Sequence, residues 1–432
     1  MTPMTLVQIY VEVPIVGANI RAATNSNVIS PNPVINAIAS SLPIRRIHLT
    51  IPYALVEYGI LETMKQKHIV IEARNLPTST GRYVEMLVRY LEKVDTVNRY
   101  SILMYPDKMD AWTPTNPNFT AVPCKYKEYS FAEQLGFAWQ LYRLKPDLVH
   151  FSMPQQPILY FGKVVTTIQD LTTARYQNPD KNPTIFRIKQ HVYKWLIKYV
   201  SHKSTLLIAI SDFVRHDIAD YAKVSLDKIT VTHEAVDDFD APAEEMPFFV
   251  GKRFIMGDGR ARPHKNLERQ IEAFAKLHKE NPDIYFMLTG KQGPTGDVFK
   301  QRLKDMGLAD HVILTGFISD GQLKWAMQHC EAYVWASLSE GFGLPPLEAM
   351  LNGAPVISSN ASCMPEVLGD AVEYFDPYSV DDMAWTMHLI TTDTKLQKKL
   401  RKKGKEHIKQ YSWQRMAEQT LAVYNDALGV KN

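Results

Sequence analysis

The sequence is poor in cysteine, has no long apolar run and carries almost no net charge. Its 432 residues include three widely separated cysteines, which argues against a disulfide framework or a zinc ribbon and is typical of a reducing compartment. No apolar run approaches the roughly 20 residues of a membrane span, and the first residues lack the basic and apolar regions of a secretory signal. Since 49 Lys and Arg face 46 Asp and Glu, no strong field favours nucleic acid. We predict a cytoplasmic protein of two or three domains with no nucleic-acid partner.

From residue 68 onward, short apolar runs alternate with stretches of helical periodicity. Such runs are typical of strands buried on both faces, and the stretches between them are long enough for crossover helices. The runs of a first set lie at 69–71, 102–104, 148–151, 164–168 and 206–210. This alternation predicts an α/β domain with a parallel sheet at 64–240.

A second set of runs follows a stretch rich in Pro and Glu, which predicts a linker at 241–250. The second set lies at 254–256, 284–288, 312–314, 333–335, 356–357 and 372–375. Within it, apolar residues from Leu267 to Leu277 predict an amphipathic helix with Asn266 as its N-cap. The sequence predicts two doubly wound domains facing across a cleft, the second at 251–412, with ligands at the carboxyl ends of the strands.

The first 63 residues show no sustained periodicity. We interpret them as an extension of uncertain order, with Met64 as a functional start. The alternative is a genuine hairpin involving residues 7–13.

A glycine-bearing loop follows the run at 333–335 and leads into a predicted helix with Pro345 in its first turn. Gly341 and Gly343 let the backbone approach a ligand closely, and the free N–H groups at the helix start favour an anion. Glu340 and Glu348 would be unfavourable next to that anion, so we expect them to accept hydrogen bonds from sugar hydroxyls. The alternative is a solvated loop and an ordinary helix surface.

A basic segment follows the run at 254–256. Arg260 and Lys265 could converge on a diphosphate and stabilise the charge of a leaving nucleoside diphosphate. Arg262 and His264 cannot be ranked against them by spacing, and a simple surface cluster is the alternative. Asp238 and Asp240 form a DxD pattern without further ligands, and we expect no metal site there.

The chain resembles the retaining glycosyltransferases of the GT-B fold, family 4, also called group 1 glycosyltransferases. The matching stretches are GRARPHKNLER (259–269), ILTGFISD (313–320), SEGFGLPPLEAM (339–350), SNASCMPEVLGD (359–370) and YSW (411–413). The resemblance implies two Rossmann-like domains, a nucleotide-diphospho-sugar donor, no cofactor and no bound metal. It also implies that a final helix at 413–428 returns to the first domain.

The resemblance implies a role for each matching residue. Glu340 would face the donor sugar, and Glu348 would hold the ribose hydroxyls. Arg260 and Lys265 would clamp the diphosphate. The remaining donor-binding positions are Gly341, Phe342, Gly343 and Leu344 through backbone N–H groups, Gly316, Phe317 and Ile318 beside the nucleobase, Gly81 in the first glycine loop, and Glu366 near the donor.

Two positions depart from the family pattern. Ser79 stands where the first glycine loop usually has a second glycine, and Gln169 stands where a histidine commonly precedes Asp170. Gln169 can form hydrogen bonds but cannot titrate. We expect Gln169 and Asp170 to complete the donor pocket, with a change in binding and no loss of activity; Asp170 could instead be structural.

A basic amphipathic segment at 182–200 combines Lys and Arg with apolar side chains. It predicts peripheral contact with the inner face of an anionic membrane, where lipid-linked acceptors reside. A helix packed on the core with an ordinary solvated face is the alternative.

These features predict a metal-independent retaining hexosyltransferase of cell-envelope polysaccharide synthesis. It would use a donor of the UDP-glucose or GDP-mannose class and a glycan or lipid-linked sugar as acceptor. The alternatives are a GT-B-fold epimerase or phosphorylase, and a donor-binding subunit without turnover.

Overall fold

The computed structural model describes residues 6–14, 21–24, 44–52, 66–78, 81–291, 293 and 295–430. The chain divides into two compact units, Met1–Gln66 and Lys67–Asn432. Both Rossmann-like domains lie in the second unit.

The first unit contains a three-stranded antiparallel sheet. Its strands are β1 (Leu6–Pro14), β2 (Arg21–Thr24) and β3 (Ile44–Pro52), in the order β2-β1-β3. Residues 7–13, for which a hairpin is the alternative prediction, lie in β1, which pairs with both neighbours. Met64 and Ser79 lie outside the described residues, so the functional start at Met64 stays a prediction.

The second unit contains two parallel sheets, as predicted. The first is a seven-stranded sheet of order β10-β9-β8-β7-β4-β5-β6. Its strands are β4 (His68–Glu72), β5 (Arg99–Met104), β6 (Phe119–Pro123), β7 (Leu148–Phe151), β8 (Val164–Ile168), β9 (Leu206–Ala209) and β10 (Ile229–Val231). The second is a six-stranded sheet of order β13-β12-β11-β14-β15-β16. Its strands are β11 (Arg253–Asp258), β12 (Ile284–Thr289), β13 (Val312–Gly316), β14 (Ala332–Trp335), β15 (Val356–Ser359) and β16 (Glu373–Phe375).

Helices connect these strands and cover the sheets. Those of the first domain are α1 (Arg82–Val94), α2 (Ala138–Leu144, continuing a π-helical turn at Glu133–Phe137), α3 (Thr172–Arg175), α4 (Pro183–Lys203) and α5 (Asp212–Ala222). The later ones are α6 (Leu267–Glu280), α7 (Thr295–Asp305), α8 (Asp320–His329), α9 (Leu344–Leu351), α10 (Met364–Leu368), α11 (Val380–Thr392), α12 (Thr394–His407) and α13 (Trp413–Leu428).

Helix α6 has the predicted apolar stripe but not the predicted cap. Leu267 and Leu277 are buried at its two ends. Asn266 adopts a left-handed conformation with φ of 58° and makes no capping hydrogen bond. Its amide instead donates to the carbonyl of Pro377 at 2.7 Å. Asn266 therefore occupies the predicted N-cap position, but its side chain does not cap the helix, because it binds a tertiary partner that the sequence does not reveal.

Helix α13 follows the second domain in the chain but packs on α1 and on strands of the first sheet. Its buried Tyr424 hydroxyl lies 2.6 Å from Nδ1 of His150 on β7. The end of the chain therefore ties the two domains together, which is where the family resemblance places it.

Arg74 is a fully buried cation just after β4. Its Nε donates to Glu72 at 2.7 Å and its Nη2 to Glu133 at 2.8 Å, while Nη1 donates to the carbonyl of Tyr126 at 2.6 Å. Phe137 packs against the guanidinium, with 4.6 Å between the guanidinium carbon of Arg74 and the centroid of the Phe137 ring. Buried carboxylates are tolerated only when they are paired with a cation. Arg74 therefore compensates the buried charges of Glu72 and Glu133.

We expect Arg74→Met to lower the free energy of unfolding by about 3–5 kcal/mol, because it leaves two buried carboxylates without their cation. Urea unfolding followed by circular dichroism measures this change. Arg89→Met is the matched control, since Arg89 is half exposed and pairs with Glu85 one turn away. A loss below about 1 kcal/mol for Arg74→Met, the range of an exposed pair, would contradict the assignment.

Candidate active site

The loop after β14 presses directly against the first domain. A Cβ atom on Gly341 would lie 2.0 Å from the carbonyl oxygen of Gln169, so only glycine fits there. The hydroxyl of Ser211, which also caps α5, donates to the carbonyl of Gly341 at 2.7 Å. The structure thus brings together the predicted residues Gly341 and Gln169 at the carboxyl ends of both sheets.

Helix α9 begins in this loop. Gly343 has φ of 93° and precedes Leu344, the first helical residue. Pro345 and Pro346 lack N–H groups, so the donors at this helix end come from the loop, at positions 341–344. Among the described residues these amides donate to no backbone carbonyl. The Phe342 side chain is buried and packs on Tyr411, so this residue can reach a ligand only through its backbone.

Lys265 and Glu340 form the centre of the site. Lys265 is 7% exposed, and its Nζ lies 2.7 Å from Oε1 of Glu340 and 3.5 Å from Oδ2 of Asp258. The Trp335 ring lies beneath the ammonium, with 4.2 Å between Nζ and the ring centroid. The Ser337 hydroxyl donates to the same Glu340 oxygen. The two predicted residues are therefore in direct contact.

Asp258, at the end of β11, is a site residue that the motifs do not reveal. Nε of Arg260 lies 2.9 Å from its Oδ1. Burial works to raise the pKa of Asp258, but Lys265 and Arg260 outweigh it and hold that pKa below the usual value. Asp258 therefore keeps both predicted cations in place. The signal that could have found it is an acid between two glycines at a strand end.

Arg262 and His264, the other basic residues of this segment, differ in whether they carry charge near the site. Arg260, Arg262 and Lys291 line a pocket of about 310 Å³, and Arg262 also lies 3.5 Å from Asp180 of the first domain. Burial lowers the pKa of His264 to about 4, with nearby Lys265 acting in the same direction. His264 is therefore neutral at physiological pH and adds no charge to the site.

Gln169 and Asp170 face this centre from the first domain. Asp170 accepts from the backbone N–H of Thr172 at 2.7 Å. Burial raises the pKa of Asp170, and the nearby Glu340 adds to the shift. The amide nitrogen of Gln169 is buried and finds no acceptor among the described residues. The Asp170 carboxylate thus stabilises the loop in which it lies. The Gln169 amide N–H group is available to donate to a ligand.

Glu348 and Glu366 each make a contact across the domains. Glu348 forms an ion pair with Arg82, the first residue of α1. Glu366 accepts from the backbone N–H groups of Asp212 and Phe213 at 2.7 and 2.8 Å. The Glu366 carboxylate thus binds the start of α5, and its donor-binding role stays a prediction.

The remaining predicted positions lie at the ends of β13 and before α1. Gly316 has φ of 70° and ends β13; Phe317 beyond it is 86% exposed. Gly81 approaches the carbonyl oxygen of Asn75 so closely that a Cβ would lie 2.3 Å from it. Nothing in the structure links Gly81, Phe317 or Ile318 to a ligand, so their roles stay predictions.

Within the described residues, no group of three or more His, Cys, Asp or Glu side chains could hold a metal ion. Asp238 of the DxD pattern forms an ion pair with Lys324, with 2.7 Å between Oδ2 and Nζ.

Two adjoining family models match most of the chain. Residues 80–238 match "Glycosyltransferase Family 4", and residues 240–407 match "Glycosyl transferases group 1". The chain belongs to the group 1 glycosyltransferases of family 4. The two models meet at residues 238–240, within the segment that joins the two sheets.

This glycosyltransferase is similar to curated mannosyltransferases of Escherichia coli. It is 28% identical over 323 residues to O-antigen chain mannosyltransferase B of Escherichia coli, covering 70% of this chain and 80% of that protein. It is 32% identical over 223 residues to the serotype-specific mannosyltransferase WbdA of E. coli, covering 49% of this chain but only 27% of WbdA.

Its fold is similar to that of Anabaena HepE, solved in complex with UDP-glucose. The TM-score is 0.64 at 14% sequence identity, and the match covers 84% of this chain and all of that one. The two-domain GT-B fold of the glycosyltransferase is as predicted.

We expect Gly341→Ala to reduce sugar transfer by this glycosyltransferase about a hundredfold, since the added methyl group forces the loop away from Gln169 by an ångström or more. A radiolabelled transfer assay measures this loss. The thermal unfolding midpoint checks that the variant is folded. Wild-type transfer by a folded Gly341→Ala variant would contradict the close contact.

Proposed function

We propose that this glycosyltransferase moves mannose from GDP-mannose to a glycan or lipid-linked sugar, with retention of configuration and without a divalent metal. The observation that carries the proposal is the buried Lys265 ammonium beside Glu340. Arg260, which is about half exposed, extends the positive charge towards solvent. The amides at 341–344 donate to no backbone carbonyl among the described residues and would supply further N–H groups. This arrangement suits a sugar diphosphate, whose charge grows as the sugar leaves.

The proposed reaction is an exchange at the anomeric carbon. The bond from this carbon to the diphosphate oxygen breaks, and a bond to the acceptor hydroxyl oxygen forms on the same face. The acceptor proton passes to the leaving phosphate, so Gln169 needs no titratable group. Lys265 and Arg260 would balance the charge of the diphosphate, and Glu340 would orient the sugar through its hydroxyl groups.

The choice of mannose rests on the two relatives described above, both of which are called mannosyltransferases. UDP-glucose remains the rival donor, since it is bound in the HepE structure. The acceptor class is likewise inferred from the O-antigen relative. The sequence alternatives differ in what they consume: an epimerase needs no acceptor, a phosphorylase needs phosphate, and a donor-binding subunit transfers nothing.

We expect GDP to raise the midpoint of thermal unfolding, and UDP, ADP and dTDP to leave it unchanged. A ligand at a hundred times its dissociation constant adds about 2.7 kcal/mol of stability. Lys265→Ala should abolish the shift, while Lys276→Ala should keep it, because Lys276 is half exposed and pairs with Asp381.

Transfer of mannose from GDP-mannose by the wild type should persist in the presence of EDTA. The Glu340→Gln variant should show no transfer. A midpoint that no nucleotide shifts, or transfer that EDTA abolishes, would contradict the corresponding part of the proposal.

We also propose that the first domain contacts an anionic membrane. Helix α4 exposes Ile185, Ile188, Val192 and Trp195, each at least half accessible, beside Lys and Arg side chains. Its opposite face, which includes Ile197, packs on the core, as the alternative interpretation of this segment expects. Within the described residues, no helix has the length and apolar character to cross a bilayer.

A second apolar stripe supports this contact. Phe131 lies two residues before the π-helical turn, Leu135 lies within the turn and Trp139 lies in α2. The three side chains are 91%, 65% and 57% exposed. Phe131, Ile188 and Trp195 all line one pocket of about 340 Å³, so the two stripes are neighbours. Such a surface is unusual for a water-exposed face and fits the interfacial region of a bilayer.

We expect the protein to float with vesicles containing anionic phospholipid more than with neutral ones. The triple variant Leu135→Ser, Trp139→Ser and Ile188→Ser should reduce flotation at least fivefold. Trp385→Ser is the matched control, because Trp385 is 63% exposed on a second-domain helix. Equal flotation of the triple variant and the control would contradict the membrane contact.

A further inference from the structure

An ion pair between Arg82 and Glu348 joins the two domains beside the active site. Arg82 opens α1 of the first domain, and Glu348 lies in the second turn of α9. The two side chains are 30% and 11% exposed. Arg82 is the cation that the described residues supply to Glu348, the acid expected to accept hydrogen bonds from the ribose.

The start of α1 is held firmly in place. The hydroxyl of Tyr83, next to Arg82, lies 2.9 Å from the hydroxyl of Thr167 at the end of β8. On the other side, Gly81 is packed against the backbone of Asn75. Arg82 therefore starts from a fixed point and reaches across the cleft, so its direction is set by the first sheet.

Arg82 also faces acids of its own domain. Burial raises the pKa of Glu234 to about 7, and Arg82 opposes that shift. Burial likewise raises the pKa of Asp237, again opposed by Arg82. Arg82 therefore lies in an acidic part of the first domain, and Glu348 is the acid of the second domain with which it forms an ion pair.

The ion pair engages one oxygen of Glu348 and leaves the other. Arg82 binds Oε1, and Oε2 accepts no hydrogen bond from the described residues. A carboxylate held on one side by a guanidinium has a restricted orientation. Its second oxygen is then ready to accept from a hydroxyl group.

We propose that Arg82 is a positioning residue for the nucleotide ribose: it holds Glu348 so that Oε2 receives a ribose hydroxyl, and it makes this contact depend on the first domain. This inference rests on the proposed donor site. Through Arg82, the acceptor-side domain contributes to recognition of the nucleotide half of the donor.

The opposite possibility is competition, in which Arg82 must leave Glu348 before the ribose can bind. The two possibilities predict opposite changes in nucleotide affinity when Arg82 is replaced. Positioning predicts weaker nucleotide binding and less ribose discrimination when Arg82 is removed. Competition predicts tighter binding.

The experiment measures dissociation constants by calorimetry for GDP and 2′,3′-dideoxy-GDP, and for the UDP pair. The wild type should prefer the ribonucleotide about tenfold, the expected effect of a hydrogen bond to a charged group. In Arg82→Gln this preference should fall to about twofold or less, with an intermediate value for Arg82→Lys, which keeps the charge but loses the planar fork.

Arg89→Gln is the matched control, since Arg89 lies on the same helix and pairs with Glu85 at 3.0 Å. It should keep the tenfold preference. A merely structural role of Arg82 would weaken the ribo and dideoxy forms equally and so leave their ratio unchanged. An unchanged ratio in both Arg82 variants, or tighter binding of GDP, overturns the inference while the donor site stands. A wild type that binds neither GDP nor UDP overturns the donor site itself.

Discussion

The buried positive charge of Lys265 is the constraint on which the rest of the site depends. An ammonium with 7% exposure costs several kcal/mol unless anions surround it. Asp258 and Glu340 supply the negative charge in the unliganded protein. The face of the Trp335 ring also attracts the ammonium. A diphosphate carries negative charge as well, so it can take over as the partner of Lys265. Glu340 would then be released towards the sugar, which links binding of the donor to the arrangement of the reacting groups.

The two domains meet through the same segments that would form the proposed donor site. Gly341 touches Gln169, Glu366 caps α5, and Glu348 pairs with Arg82. Each contact pairs a residue of the second domain with a backbone or side-chain group of the first. Opening the cleft would therefore disturb the 341–344 loop, and under the proposed function its closure would exclude water from the reacting groups. The return of α13 to the first sheet keeps the two domains in one unit.

The sequence was sufficient for most of the fold because buried parallel strands are continuous apolar runs. It missed β6, which is half exposed, and β10, which is three residues long. In the site, motifs with local spacing identified Lys265 and Glu340 as candidate residues, but their direct contact was not predicted. The motifs could not predict partners distant in sequence, such as Arg82 for Glu348, the α5 backbone for Glu366, or Pro377 for Asn266. The first two pairs follow from how the domains meet and the third from the packing within the second domain, and no local pattern encodes them.

A crystal structure of the chain with GDP bound tests the central claim most directly, through the distance from the Lys265 ammonium to the terminal phosphate. The account predicts hydrogen-bond contact between them and a lengthened Lys265–Glu340 distance, with the diphosphate against the amides of the 341–344 loop. A nucleotide bound elsewhere, or one that leaves the 2.7 Å contact between Lys265 and Glu340 intact, would contradict the account.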